Sequence, residues 1–222
     1  MASAPTAPLV SVVMPVFNRE RFVGEAIQSV LDQTYRPFEL IVVDDGSTDG
    51  SAALARTFAG VLVLEQEQAG PGAARNRGVA ASRGELLAFL DSDDLMPPNK
   101  LELQARHLRQ HPETAGVLGE QELFGADPAH VPPGFVGQQP LSIMIRRSTF
   151  ELVGPFGTDF GEDLDWLCRA WGAGARIDSI DSVVLRRRVH EGNITHDLRA
   201  GRLAMFRALK DEAARARAAR ES

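Results

Sequence analysis

Three carboxylates fall within four residues at Asp91, Asp93 and Asp94, directly after the apolar run Leu86 to Leu90. Such a run reads as a short strand buried on both faces. Charges at its end are costly to bury unless something neutralises them. In open α/β folds, ligands bind beyond the carboxyl ends of the strands. A hard divalent cation, Mn²⁺ or Mg²⁺, would serve as the neutraliser. Such ions prefer oxygen ligands and often complete their shell with substrate phosphates. The competing reading is a solvated turn in which Asp93 or Asp94 caps a helix starting near Pro97.

Two further sites carry chemistry-bearing residues. Asp44 and Asp45 follow a second apolar run, Phe38 to Val43. Asp is favoured in turns with or without a ligand, and Asp45 is expected to be the more structural of the pair. Between the two acidic sites lies Gly70 to Gly78, a glycine-bounded helix start carrying Arg75 and Arg77. Guanidinium binds phosphate in a bidentate manner, and carboxylates accept hydrogen bonds from ribose or base N–H groups. Together these loops suit a ligand with a diphosphate, a hydroxyl-bearing ring and a bound metal. Arg77 equally reads as a solvated surface charge. Glu162 and Asp163 open another helix, where the helix dipole alone favours acidic residues.

The elements that position these residues alternate. Leu9 to Val16 reads as a strand closed by Pro15, and a helix follows with Phe22, Val23, Ala26, Ile27, Val30 and Leu31 at helical spacing. A strand at 38–43, a helix to about Phe58 capped by Thr48 or Asp49, and a strand at 61–64 come next. The helix from Ala73 to Ser82, the strand at 86–90 and a helix from Pro97 or Asn99 to about Gln110 complete the first half. Four strand–helix alternations with short loops predict a mostly parallel sheet with helices on both faces. The second half is less regular. It offers strands at 116–124, 142–145 and 177–188, helices at 148–153 and 161–171, and a Pro- and Gly-rich loop at 125–137.

The motifs, their order and their spacing resemble the inverting glycosyltransferases of family 2, with the GT-A fold. The matching stretches are Val12 to Asn18, Val43 to Asp49, Gly70 to Gly78, Phe89 to Asp94, and Gly154-Pro155-Phe156 followed by Glu162 to Trp166. Any one of them is weak alone; five in order are not. The resemblance covers about Leu9 to His190. It implies a single GT-A domain over 9–197, with a nucleotide-sugar-binding half at 9–95 and an acceptor half at 96–197. It implies that Pro15, Val16 and Asn18 line the nucleotide pocket, that Asp44 contacts base or ribose, and that Arg75 helps hold the nucleotide. Asp91 would lie near the ribose or sugar, Asp93 on the metal, and Asp94 would extend that shell. His190 sits where some relatives carry a metal or diphosphate ligand. Asp163 corresponds to the catalytic base, with Glu162 and Trp166 on the acceptor side. The implied donor is a nucleoside-diphosphate sugar, UDP being the family's commonest nucleotide. The acceptor is a hydroxyl of a glycan, lipid, peptide or small molecule. Residues 115–139, where relatives shape the acceptor cavity, are short here.

Composition bounds the rest. The 222 residues suffice for one substantial domain. The formal net charge is −6, and residues 198–222 hold seven basic and three acidic residues, so the body is strongly acidic. That argues against a nucleic-acid partner. The basic stretch reads as an amphipathic helix that could lie on an acidic membrane, pack on the body or make a homodimer. Residues 1–8 read as a frayed tail without a secretion signal. No apolar run is long enough to span a bilayer. Cys168, the only cysteine, suits a reducing compartment and reads as buried filler. The expectation is a cytoplasmic protein, or one peripheral at the inner face of the membrane. Two rival functions are a sugar nucleotidyltransferase, which usually carries a Gly-rich basic loop after its first strand, and a non-catalytic nucleotide-sugar-binding relative. Pro15 to Arg21 has no glycine.

Overall fold

The computed structural model describes residues 7–125, 139–159 and 161–190. The basic stretch 198–222, residues 1–6 of the tail and nearly all of the 125–137 loop lie outside the described residues. Pro8 is tied down, because the Tyr35 hydroxyl donates to its carbonyl at 2.6 Å.

Among the described residues, seven strands form one sheet: β1 (Val10–Val16), β2 (Phe38–Asp44), β3 (Val61–Glu65), β4 (Leu86–Phe89), β5 (Gly116–Phe124), β6 (Met144–Arg146) and β7 (Ile177–Arg188). Their order across the sheet is β3-β2-β1-β4-β6-β5-β7. β1 pairs in parallel with β2 and β4, β2 with β3, and β5 with β7. β6 runs antiparallel to both of its neighbours. The sheet is therefore mostly parallel, and the reversed strand joins the two halves.

Among the described residues, six helices cover it: α1 (Glu20–Leu31), α2 (Ser51–Ala55), α3 (Pro71–Ala81), α4 (Lys100–Gln110), α5 (Arg147–Val153) and α6 (Glu162–Gly172). Alternation along the central strands divides the core between two faces. Val12 and Met14 of β1 and Ala88 of β4 pack with Val23, Ile27 and Val30 of α1 and Leu101, Ala105 and Leu108 of α4. Val13, Leu87 and Phe89 point the other way and pack with Val79 of α3 and Trp166, Leu167 and Ala170 of α6.

Two local expectations differ. α2 stops at Ala55 instead of Phe58, because the chain tightens: the amides of Thr57 and Phe58 bond to Leu54 and Ala55, three residues back. The strand expected from Ser142 begins at Met144, after a 3₁₀ turn over Pro140–Ser142 that starts on a proline with no N–H to give a ladder. Cys168 is buried in α6. Among the described residues, no helix is long and apolar enough to cross a membrane.

Candidate active site

The parallel register aligns Val16 with Asp44 and Val13 with Phe89, so the loops after β1, β2 and β4 leave the sheet on one edge. Asn18 adopts a left-handed backbone (φ 51°), which its short polar side chain tolerates. The Thr48 amide donates to Asn18 Oδ1 at 2.8 Å, and the Asn18 amide donates to Ser47 Oγ at 3.0 Å. Asn18 thus laces the β1 loop to the β2 loop. Asp45 is committed to backbone: it accepts from the amides of Ala69 and Gly70 at 2.8 Å each and from the Gln66 side chain at 2.7 Å. Asp44 differs. Its Oδ2 accepts from the Ser47 amide at 3.1 Å, but its Oδ1 is buried and has no partner among the described residues. An orphaned buried acceptor costs about 1–3 kcal/mol, so it marks a place for a donor that the protein does not supply.

The acidic turn after β4 closes through the Asp94 amide, which donates to the Asp91 carbonyl at 3.1 Å. Asp91, Asp93 and Asp94 each present a carboxylate oxygen within 4.8 Å of the others. Asp93 Oδ2 lies 3.2 Å from Arg19 Nε and 3.1 Å from His190 Nε2. Asp94 is nearly buried and accepts from the Arg188 amide at 2.8 Å. Burial, then the charges of Asp91 and Asp93, push its carboxyl well above the usual range. Behind the turn, Lys100 is fully buried with its Nζ 3.2 Å from the Ser142 carbonyl. Burial lowers the Lys100 ammonium to about 7, with Asp94 pulling in the other direction. Three clustered carboxylates offering oxygen ligands fit Mg²⁺ or Mn²⁺, and an imidazole beside them is compatible with Mn²⁺.

The second wall is built around Arg75 of α3. Gly70 (φ 91°) and Pro71 start that helix. A Cβ on Gly72 would fall 1.9 Å from the Gly157 carbonyl, so only glycine lets α3 sit against the 154–158 segment. Asn76 clasps the same segment, donating to the Phe156 carbonyl and accepting from its amide, both at 2.9 Å. Arg75 is 2% exposed. It donates to Asp91 Oδ1 at 2.7 Å and, on its other side, to Glu162 Oε1. Burial opposes its charge, but Asp91, Glu162 and Asp163 more than offset this and hold the guanidinium above its ordinary value. α6 opens on Gly161 in the left-handed region, and the Leu164 amide donates to Asp163 Oδ1 at 2.8 Å. Burial raises both Glu162 and Asp163, with Arg75 opposing.

The sequence comparisons decide the family. The family model described as Glycosyl transferase family 2 matches residues 11–149. The chain belongs to this family. Glycosyltransferase AglE of Haloferax volcanii is 30% identical over 204 residues, covering 81% of this chain and 66% of that one. The chain spans much less of other relatives: two matched at 40% and 41% identity over 105 residues are covered over only 17% of their length. Among solved structures, the mannosyltransferase PcManGT of Pyrobaculum calidifontis, in complex with GDP-Man and Mn²⁺, superposes with a TM-score of 0.72. The match covers 96% of this chain and 65% of that one at 22% identity. S. aureus TarS in complex with UDP-GlcNAc gives 0.71, over 85% and 60%, also at 22% identity. These two show the shared GT-A fold.

Within this family 2 domain, four residues are buried where the resemblance implies contact with a ligand. Trp166 is 2% exposed; its indole N–H donates to the Gly154 carbonyl at 2.9 Å and its ring packs with Phe150 and Phe156. It belongs to the core and lines no open acceptor cleft. Arg75 is sealed between Asp91 and Glu162 and does not face an open nucleotide pocket. Pro15 and Val16 have buried side chains, so Phe17, exposed at the strand end, is the nearer surface. Arg77 is exposed. Arg19, Lys100 and Arg188 join the site although the motifs do not mark them. Arg19 and Arg188 reach Asp93 across 74 and 95 residues, a separation with no sequence signature.

Proposed function

We propose that the chain transfers a sugar from a nucleoside-diphosphate sugar, a UDP-sugar by preference, to an acceptor hydroxyl with inversion, Asp163 acting as general base. The observation that carries this reading is the path Asp91–Arg75–Glu162. Through one buried guanidinium it fixes the first turn of α6, and with it Asp163, against the acidic turn. Asp44 and Asn18 hold the nucleoside; the unpartnered Asp44 Oδ1 suits the ring N–H that uracil and guanine both carry. The UDP-GlcNAc on TarS and the GDP-Man on PcManGT support that donor class.

Asp93, with Asp91, Asp94 and His190 around it, would hold Mn²⁺ or Mg²⁺. A bound ion of this kind neutralises charge growing on the leaving diphosphate. Asp163 takes the acceptor proton as the acceptor oxygen bonds to the anomeric carbon. The bond from that carbon to the diphosphate breaks, and its electron pair leaves with the diphosphate. Attack from the opposite face inverts the centre in one displacement. A carboxyl raised by burial is a better base than an ordinary one, because the ideal catalytic pKa lies near the working pH. The donor half, 9–95, carries the nucleotide contacts, and the acceptor half, 96–197, carries the base.

The test is a donor panel of UDP-, GDP-, CDP- and dTDP-sugars with Mn²⁺, read by thermal shift and then by product anomer in NMR. A ligand at 100 times its Kd adds about 2.7 kcal/mol. Asp163→Asn should lower kcat by about 10²–10⁴ with donor affinity kept. Transfer by a folded Asn variant at the wild-type rate rules Asp163 out as base, and a retained anomer rules out the single displacement.

A further inference from the structure

The arginines at the end of β7 invite the reading of an anion-binding patch, but Arg188 faces inward. Its backbone N–H donates to Asp94 Oδ1 at 2.8 Å, and its Nε donates to the Asp93 carbonyl at 3.0 Å. Two residues earlier, Arg186 and Leu95 exchange both backbone hydrogen bonds at 2.9 Å. Two residues later, His190 meets the Asp93 carboxylate. The acidic turn is therefore fastened to β7 at Asp93, Asp94 and Leu95 in succession. The Arg188 guanidinium is itself anchored, donating to Glu25 Oε2 at 2.6 Å and lying over the rings of Phe124 and Phe22, 4.5 and 5.1 Å from their centroids.

None of this is needed to hold β7 in the sheet. β7 already pairs with β5 from Gly116–Ile177 to Phe124–Arg188. The contacts serve the turn, which crowds three carboxyl groups within 4.8 Å of one another. We propose that Arg188 is a positioning residue, holding Asp93 and Asp94 in the arrangement that receives a divalent cation. The proposal rests on the metal reading above. Arg188 does not touch the ion; its guanidinium fixes the peptide between Asp93 and Asp94, while its backbone N–H, which a side-chain substitution keeps, holds one Asp94 oxygen.

The sign of one measurement separates this role from simple electrostatics. Removing a nearby positive charge by itself tightens cation binding; removing a positioning group weakens it. Groups that orient metal ligands typically change affinity by 10–100-fold when lost. The experiment titrates Mn²⁺ into the full chain, with and without UDP, following free Mn²⁺ by EPR, for wild type, Arg188→Met and Arg188→Lys. Thermal melting confirms that each is folded, and Lys stands in if Met does not fold. The expected result is a Mn²⁺ Kd raised by about tenfold or more in both variants, with metal-free UDP affinity unchanged. Lys keeps the charge but lacks the rigid guanidinium fork, whose separate nitrogens reach the Asp93 carbonyl and Glu25. Unchanged or tighter Mn²⁺ binding in Met, or wild-type binding in Lys, overturns the positioning role. If wild type itself binds no Mn²⁺ even with UDP, the metal reading falls and this proposal with it.

Discussion

Arg75 and Glu162, 87 residues apart in the chain, form an ion pair with side chains 3% and 10% exposed. It joins the donor-side turn to the acceptor-side helix by charge, since the same guanidinium also holds Asp91. Removing one partner of a buried pair leaves the other charge uncompensated, at a cost of about 3–5 kcal/mol. Arg75→Met should lose about that much stability in urea unfolding. The double variant Arg75→Met, Glu162→Met should recover part of it, because the stranded carboxylate is then gone. Additive losses in the cycle would show that the two side chains are not coupled.

The pH dependence of stability carries a second prediction. Burial raises Glu162 and Asp163 above their ordinary values. An acid raised in the folded state takes up its proton there before it does in the unfolded chain. Stability therefore increases as pH falls through the window just above the unfolded value, about 4, and decreases as pH rises through the folded one. Asp163→Asn removes that residue's share of the slope and leaves that of Glu162. The Asn variant should be more stable than wild type at neutral pH while transferring sugar far more slowly, the usual trade at a strained site. Urea midpoints from neutral pH to about pH 4 read the slope; an unaltered one means that Asp163 titrates as a solvated acid.

Much of this was readable from the chain, for definite reasons. Apolar runs such as Val10 to Val16 and Leu86 to Phe89 reveal strands buried on both faces, and acids placed directly after them reveal the edge where a ligand sits. Such runs carry no direction, so the reversal of β6 could not be read from Met144 to Arg146. Trp166 follows an acidic pair in a motif that places it on the acceptor side, but an indole at that helical phase favours packing, and it lies in the core beside Phe150 and Phe156. Arg75 looks like a phosphate ligand until Glu162 is placed opposite it. Arg188 belongs to a basic triplet that resembles a solvated strand end, and only the fold shows what it faces.

Lys100 gives a prediction with the opposite sign. Its folded value of about 7 lies below that of a solvated lysine, 10.5. Between those values the unfolded chain binds a proton that the native state does not. Stability should therefore rise as pH rises across that window, and the benefit is absent below it. Lys100→Met abolishes the rise. Denaturant titrations from pH 7 to 10 check it; the same rise in the Met variant would assign it to another group.

Gly72 tests the close approach of the two walls. A Cβ there meets the Gly157 carbonyl at 1.9 Å and Glu162 Cγ at 3.1 Å, so Gly72→Ala must push α3 away from the 154–158 segment and from the start of α6. Overpacking of this kind costs about 1–3 kcal/mol. Gly157 lies on the other side of the same contact, but a Cβ on it meets nothing within 4 Å among the described residues. Gly157→Ala is therefore the control, expected to change stability by less than about 0.5 kcal/mol. The displacement in Gly72→Ala also moves Glu162 relative to Arg75, and Asp163 with it. Misplacing a reacting group by about 1 Å costs on the order of 10²-fold in rate. Gly72→Ala should therefore lower kcat far more than it weakens donor binding, while Gly157→Ala changes neither. Equal losses of kcat and donor affinity in Gly72→Ala would mean that the glycine serves the nucleotide side of the cleft and not the placement of the base.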